Sequence, residues 1–139
     1  MCFRLLNLRA AIKSNGSTDT QAIREAALDL DRDLEMLSAS FPSTWQYTVI
    51  NISDDSVSNV YFNGMCHFYS DLWTAKTWNY WRTLRILASQ IIVQIEAHLN
   101  VPSSEQNIKA HDIIRQLSVD ICVSTASFMG SPRTCVSLL

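Results

Sequence analysis

The chain has 139 residues, of which 47% are hydrophobic and 17% are charged, so it is long enough to bury one modest core. Its 3 glycines and 3 prolines leave few turns for a many-stranded sandwich or barrel, and this favours long helices. Because the formal net charge is -2, we expect no general attraction to nucleic acid or acidic lipid.

The first predicted element is a short helix over about residues 2–13, because apolar side chains recur on one side of it. Asn15-Gly16 predicts its end, since both residues tolerate the left-handed conformation of a helix C-cap. Arg4 and Arg9 interrupt the apolar run, so no secretory signal peptide is expected. No stretch approaches the roughly 18 uncharged apolar residues of a membrane-spanning helix. We expect an intracellular protein that is neither secreted nor membrane-spanning.

A second helix is predicted to begin at the capping box formed by Thr18 and Gln21. Its apolar stripe follows at alternating steps of four and three and comprises Ile23, Ala27, Leu30, Leu34, Leu37 and Phe41. Pro42 predicts the end of this helix at Phe41, because proline disfavours helical geometry in the preceding residue. The acid-rich run 29–35 is interpreted as a solvated helix face.

Residues 43–52 predict an ordered extended arm or a short strand, because aromatic and β-branched residues alternate with polar ones there: Trp45, Tyr47 and Val49. The following stretch, 53–59, reads as a polar loop. The aromatic stretch 61–69 is not periodic, and Gly64 indicates a turn within it. The sequence therefore offers no clear pairing partner for the arm.

The longest predicted helix covers about residues 71–99, with Asp71 suited to its positive N-terminal end. At about 100° per residue, one broad apolar arc comprises Trp73, Tyr80, Trp81, Leu84, Leu87, Ala88, Ile91, Ile92, Ile95 and Leu99. Three further apolar residues lie outside this arc: Trp78, Ile86 and Val93. A helix that is apolar on more than one side is predicted to be central. We expect the face of Trp78, Arg82 and Val93 to stay uncovered and to favour self-association or a partner helix.

A fourth helix is predicted after Pro102, with a capping box formed by Ser103 and Gln106. Its apolar stripe comprises Ala110, Ile114, Leu117, Ile121, Thr125 and Phe128. Gly130 and Pro132 predict its end, with glycine just past the helix and proline beyond it.

Together these elements predict an all-α fold of about four helices around the long central helix at 71–99, with the extended aromatic arm at 43–52. We expect a single helical domain, or a fragment of one, over residues 1–139. Residues 131–139 are predicted to form a tail without a clear role.

Groups that could carry chemistry are scattered along the chain. No paired spacing of the kind that zinc sites use is present among Cys2, Cys66, Cys122 and Cys135. No helical i, i+3 or i, i+4 pair is present among His67, His98 and His111. The chain also lacks a G-x-S-x-G elbow, a P-loop and a dinucleotide fingerprint. We expect no metal site, no cofactor and no catalytic residue.

One group of polar residues is not explained by burial alone and comprises His67, Tyr69, Asp71, Asn79, Arg82 and Arg85. Arg82 follows Trp78 by one helical turn and is placed to stack on its ring, a contact worth about 0.5–2 kcal/mol. The group is either ordinary helix polarity that docks against neighbouring helices, or a polar pocket or interdomain contact.

The stretch 67–87 contains the patterns His-x-Tyr-x-Asp-Leu-Trp, Trp-Asn-x-x-Arg and Arg-Ile-Leu. It resembles a signature in the helical regulatory region of fungal binuclear zinc-cluster transcription factors. The matching residues are His67, Tyr69, Asp71, Leu72, Trp73, Trp78, Asn79, Arg82, Arg85, Ile86 and Leu87, while Ser70 replaces the usual proline. Weaker similarity covers most of residues 28–130 and includes Phe41-Pro42, Trp45, Tyr47, Asp120, Ile121, Cys122, Ser124 and Gly130.

This resemblance implies an all-helical scaffold, a nuclear setting and a non-catalytic role in transcription regulation through protein contacts. The family's DNA-binding cluster of six cysteines is not found in this chain, nor are its further C-terminal helices, so no DNA binding is implied. The implied partners are another protein or the missing helices of a larger regulatory domain, and no membrane. Ligand or interdomain contacts would involve His67, Tyr69, Asp71, Trp78, Asn79, Arg82 and Arg85.

The alternative hypothesis is a small-molecule-binding protein or an enzyme that uses a pocket around Cys66, His67 and Arg82. Loss of turnover on changing Cys66 or His67 would support this alternative. A zinc-cluster reading frame directly upstream in the genome would support the regulatory hypothesis instead.

Overall fold

The computed structural model describes residues 1–14, 20–52 and 61–129, and these are predominantly helical. The α-helices are α1 (Cys2–Lys13), α2 (Thr20–Ala39), α3 (Leu72–His98) and α4 (Glu105–Ser124). Two short strands are β1 (Thr48–Asn51) and β2 (Met65–Phe68), and 3₁₀ turns cover Ser43–Trp45, Phe62–Gly64 and Thr125–Phe128. The prediction of a helix-dominated fold is confirmed. None of the described helices has the length and apolar composition needed to cross a bilayer.

The chain divides into two compact units, to both of which α3 and α4 contribute residues. The helical unit contains Met1–Ser40 and Trp81–Leu117. The hairpin unit contains Phe41–Tyr80 and the described residues from Ser118 onward. The single-domain interpretation stays a prediction, and the tail 131–139 lies outside the described residues.

In the helical unit, α1 packs against α2 through the periodic residues that the sequence indicates. The buried side chains are Leu5 and Leu8 on α1 and Ile23, Ala27, Leu30 and Leu34 on α2. The stripe does not continue to the end as predicted, because α2 stops at Ala39 and Leu37 is exposed. Helix α1 ends at Lys13, where the N–H of Ser14 bonds to the carbonyl of Ala10 at 3.0 Å. The predicted signals at Asn15-Gly16 and Thr18 fall outside the described residues.

Helix α4 is capped one residue later than the sequence predicts. The hydroxyl of Ser104, not that of Ser103, accepts a hydrogen bond from the backbone N–H of Asn107 at 3.0 Å. The same Ser104 hydroxyl donates to Oε2 of Glu96 at 2.6 Å, and Ser103 is exposed. The Ser103–Gln106 capping box is therefore wrong, because a contact to α3 selects which of the two serines caps the helix. The predicted end signals at Gly130 and Pro132 lie outside the described residues.

In the hairpin unit, the arm finds a partner that the sequence did not indicate. Strands β1 and β2 pair antiparallel, with Thr48 opposite Phe68 and Asn51 opposite Met65. A small core beneath them contains Ile52, Tyr61, Cys66 and Ala126, with Ile50 packed against it. Gly64 directly precedes β2 and has a φ of +65°, and a Cβ there would lie 3.2 Å from the carbonyl oxygen of Ile52. The turn predicted at Gly64 is confirmed, whereas the polar loop 53–59 is outside the described residues.

The exposed and buried faces at the start of α3 differ from the prediction. Trp73 and Tyr80, predicted on the core arc, are 60% and 58% exposed. Trp78 is only 7% exposed, Arg82 is fully buried and Val93 is half-buried. The expectation that the face of Trp78, Arg82 and Val93 stays uncovered is therefore wrong. On a helix that is apolar all round, the packing partners decide which rings are buried.

Candidate functional site

The structure divides the seven residues singled out in the sequence between the two units. The hairpin unit holds His67, Tyr69, Asp71, Trp78 and Asn79. Arg82 and Arg85 belong to the helical unit. Neither unit by itself therefore contains the complete constellation, and each group has its own geometry.

His67 lies on β2 and is buried between tyrosines. Its ring centroid is 4.5 Å from that of Tyr47, and its Nδ1 is 3.1 Å from the hydroxyl oxygen of Tyr69. The backbone carbonyl of His67 accepts a hydrogen bond from the hydroxyl of Ser127 at 2.7 Å, which ties β2 to the Thr125–Phe128 turn. Both the ring and the backbone of this histidine are thus engaged within the hairpin unit.

Trp78 lies in an aromatic cluster that joins α3 to the arm. Its ring meets Phe41 edge-on at 4.9 Å and Tyr47 at 5.1 Å. Its indole N–H donates to the backbone carbonyl of Trp45 at 2.7 Å. Trp45 in turn contacts Trp73 at 5.0 Å, and each such ring pair contributes about 0.5–1.5 kcal/mol beyond its buried area. This tryptophan therefore fixes the arm to the first turns of α3.

Asp71 is exposed and caps α3. Its Oδ1 accepts a hydrogen bond from the backbone N–H of Thr74 at 2.8 Å, and its Oδ2 accepts one from the Thr74 hydroxyl at 2.9 Å. The hydroxyl of Ser70 donates to the same carboxylate at 3.0 Å. The N–H of Thr74 is the main reason that the pKa of Asp71 is lowered from its ordinary value of 3.8, followed by the Thr74 hydroxyl. This carboxylate stabilises a helix terminus.

We expect the carboxyl of Asp71 to titrate below pH 3.8, as measured by the carbon-13 shift of its side chain. Because the folded pKa is lowered, the cap stabilises the fold above the ordinary pKa of 3.8. That contribution disappears as the pH falls through the folded pKa. Asp71→Asn, which cannot ionise, should lose less stability on acidification than the wild type. In Thr74→Ala the pKa of Asp71 should rise only part of the way towards 3.8, because the hydroxyl is lost while the backbone N–H of residue 74 still donates to the carboxylate. A wild-type Asp71 carboxyl that titrates at or above pH 3.8 would contradict the cap assignment.

Asn79 connects α3 to the end of α4 within the hairpin unit. Its Nδ2 donates to the Ser124 hydroxyl oxygen at 2.7 Å, and Ser124 is fully buried. The Ser124 hydroxyl also lies 2.7 Å from the carbonyl oxygen of Ile121. Asn79 belongs to the central pattern and Ser124 to the weaker downstream similarity, so residues from separate segments of the motif meet here.

In the helical unit, Arg85 binds two carboxylates of α2. Its Nε is 3.0 Å from Oδ1 of Asp31, and its Nη2 is 3.3 Å from Oε1 of Glu35. Its guanidinium lies 5.7 Å from the ring centroid of Trp81. Because Asp31 is buried in this pair, the acid-rich run 29–35 is not solely a solvated face, and that interpretation is wrong at Asp31. Stacking of Arg82 on Trp78 stays a prediction, since these residues belong to different units.

A buried carboxylate in the helical unit was missed at the sequence level. Glu96 is fully buried, and its Oε1 lies 2.6 Å from Nε of Arg24, while its Oε2 accepts from the Ser104 hydroxyl. This network joins α2, α3 and the cap of α4. The available signal was an acidic residue directly after Ile95 on the broad apolar arc, where a charge must be paired to be stable.

The residues of the alternative pocket do not come together within one unit. Cys66 and His67 are both buried in the hairpin unit, and the Cys66 thiol lies 3.5 Å from the carbonyl oxygen of His67. Arg82 belongs to the helical unit. Within the three described ranges, no group of three or more His, Cys, Asp or Glu side chains is arranged to hold a metal ion.

Two surface depressions lie in the helical unit instead. A polar cleft of about 210 Å³ is lined by Leu28, Asp31, Arg32, Glu35, Gln106 and Lys109. A shallow, mainly apolar groove of about 460 Å³ follows one face of α4 and is lined by Glu105, Ile108, Lys109, Asp112, Ile113 and Gln116. Cys66 and His67 line neither of them.

The contacts of the motif side chains are structural and do not form a catalytic arrangement. In the hairpin unit an aspartate caps a helix, an imidazole packs between tyrosines and an asparagine binds a buried serine. No protein-family model, curated protein or solved structure matches the chain. A functional hypothesis must therefore rest on the geometry and on the resemblance of the motif itself.

Proposed function

We propose that this chain is a non-catalytic, transcription-regulator-like helical module that acts in the nucleus through protein contacts. The observation that carries this proposal is that the motif residues of the hairpin unit form structural contacts within that unit. His67, Asp71, Trp78 and Asn79 each bind neighbours that hold the arm, α3 and the end of α4 in place. A motif of this kind maintains a scaffold, and the scaffold presents surfaces to other proteins.

An enzymatic role receives less support from the same residues. A nucleophile and its base need access to substrate, whereas Cys66 and His67 are both buried. The lowered pKa of Asp71 follows from helix capping and leaves this group ionised near neutral pH. Direct DNA contact is also disfavoured, because the formal net charge is -2.

The proposal is tested by fusing the full chain to a heterologous DNA-binding domain whose binding site lies upstream of a reporter gene in yeast. We expect the fusion to raise or lower reporter expression several-fold relative to the DNA-binding domain alone. A fusion carrying Trp78→Ala should lose this effect, because the arm is no longer fixed to α3. The matched control is Trp73→Ala, which changes an exposed ring and should retain the effect. A wild-type fusion that accumulates in the nucleus without changing the reporter would contradict the proposal.

A further inference from the structure

Helix α1 is apolar on two opposite faces, of which one is uncovered. Leu5 and Leu8 are buried where α1 packs against α2. Phe3 is 82% exposed and Leu6 is 59% exposed. At about 100° per residue, Phe3, Leu6 and Ala10 centre on the side opposite the buried leucines. An apolar strip on the outside of a surface helix marks a candidate interaction surface.

The charged residues of α1 are all basic. Arg4 pairs with Asp33 of α2. Arg9 and Lys13 are exposed, and the described part of the chain offers neither of them an ion pair. On the helix, Arg9 and Lys13 lie along the edge next to Leu6, and Arg4 lies on the opposite edge. The outer face of α1 is thus a short apolar strip with the positive charges of Arg9 and Lys13 along one edge.

We propose that this outer face binds one acidic amphipathic helix of a partner protein. Apolar side chains of the partner would pack on Phe3 and Leu6, and its carboxylates would lie opposite Arg9 and Lys13. Helix α1 has 12 residues, about 18 Å in length, which matches some three turns of a partner helix. This inference rests on the proposed function, because it names a surface through which the module would make protein contacts.

The charge of α1 favours this partner over two other occupants, a second copy of the chain and an anionic bilayer. A second copy that presented the same face would place like charges opposite each other, because α1 carries no acidic residue. A flat anionic bilayer would meet a wide area of a chain whose formal net charge is -2. A single helix is narrower and meets mainly the strip beside Arg9 and Lys13.

The test uses the full chain and a designed fluorescent peptide on the order of 18 residues long, with leucines at i, i+3, i+4 and i+7 flanked by glutamates. Fluorescence anisotropy should detect binding. A second peptide with lysines in place of the glutamates should bind about tenfold more weakly. Failure of the glutamate peptide to bind, or equal binding of both peptides, would overturn the inference.

Two double variants locate the surface. Phe3→Ser with Leu6→Ser should weaken binding of the glutamate peptide about tenfold, without loss of helix content in circular dichroism. Arg9→Glu with Lys13→Glu should reverse the preference, so that the lysine peptide binds better. The matched control, Ile108→Ser with Lys109→Glu, changes an exposed apolar residue and a cation on α4 and should leave binding unchanged. An effect of the control equal to that of the α1 variants would overturn the assignment of the surface.

Two further outcomes distinguish this inference from the proposed function. If the glutamate peptide does not bind while the wild-type fusion changes the reporter, the docking surface is wrong and the regulatory role stands. If the peptide binds to α1 but the wild-type fusion never changes the reporter, the docking surface stands and the regulatory role is wrong. Tight binding of the chain to phosphatidylcholine–phosphatidylserine vesicles that is lost in Phe3→Ser with Leu6→Ser would overturn the inference, because the surface would then bind a membrane and not a partner helix.

Discussion

Replacing Trp78 with alanine should lower the free energy of unfolding by about 3–5 kcal/mol, the range for removing a buried aromatic side chain. The ring is buried against Phe41 and Tyr47, and its N–H binds the carbonyl of Trp45. The substitution therefore removes several contacts and leaves a cavity beside a carbonyl that loses its donor. Urea denaturation followed by far-ultraviolet circular dichroism measures the loss.

Trp73→Ala is the matched control for this substitution. Trp73 lies on the same helix five residues earlier, but it is 60% exposed and its ring contact in the cluster is to Trp45. We expect a loss of about 1 kcal/mol or less. Equal losses for the two tryptophans would contradict the burial pattern on which the aromatic cluster depends.

The second large effect is expected at the ion pair between Arg24 and Glu96. Glu96 is fully buried, whereas the Arg24 side chain keeps 24% of its surface exposed. Arg24→Met should cost about 3 kcal/mol, because it leaves a buried carboxylate without its cation while Ser104 still donates to Oε2. Thermal or urea unfolding of the purified variant gives the loss of stability.

Two further variants test whether the loss of stability comes from the burial of Glu96. Arg32→Met removes an exposed ion pair with Asp29 and should cost about 0.5 kcal/mol or less. The double variant Arg24→Met with Glu96→Met should regain part of the stability that Arg24→Met loses, since no uncompensated carboxylate remains. A double variant less stable than Arg24→Met alone would show that Glu96 contributes through contacts other than this cation.

The candidate site could be predicted in part. Five of its seven residues lie within the short stretch from His67 to Asn79, and the structure places these five in one unit. Proximity in sequence was sufficient for that grouping. The sequence did not show that Arg82 and Arg85 belong to the other unit, because a continuous helix carries no local mark of where its packing partners change.

The sequence by itself determined the features of this protein that depend on hydrogen bonds between residues close along the chain. A helix closes its bonds about four residues apart, so periodicity and breakers within the segment predict it. The α3 helix at Leu72–His98 accordingly lies within one residue of the predicted 71–99 at each end, and the buried stripe of α2 from Ile23 to Leu34 follows the predicted spacing. Asp71 at the start of α3 was identified for the same reason.

Only the tertiary structure decided the features that depend on distant partners. Strand β1 pairs with β2 across a separation that no local pattern encodes, and Ser104 rather than Ser103 caps α4 because Glu96 binds its hydroxyl. Trp78 is buried and Trp73 is exposed because the arm packs on one ring and leaves much of the other in solvent. The free energy of each choice comes from burial and pairing against residues far along the chain, so composition and periodicity do not contain it.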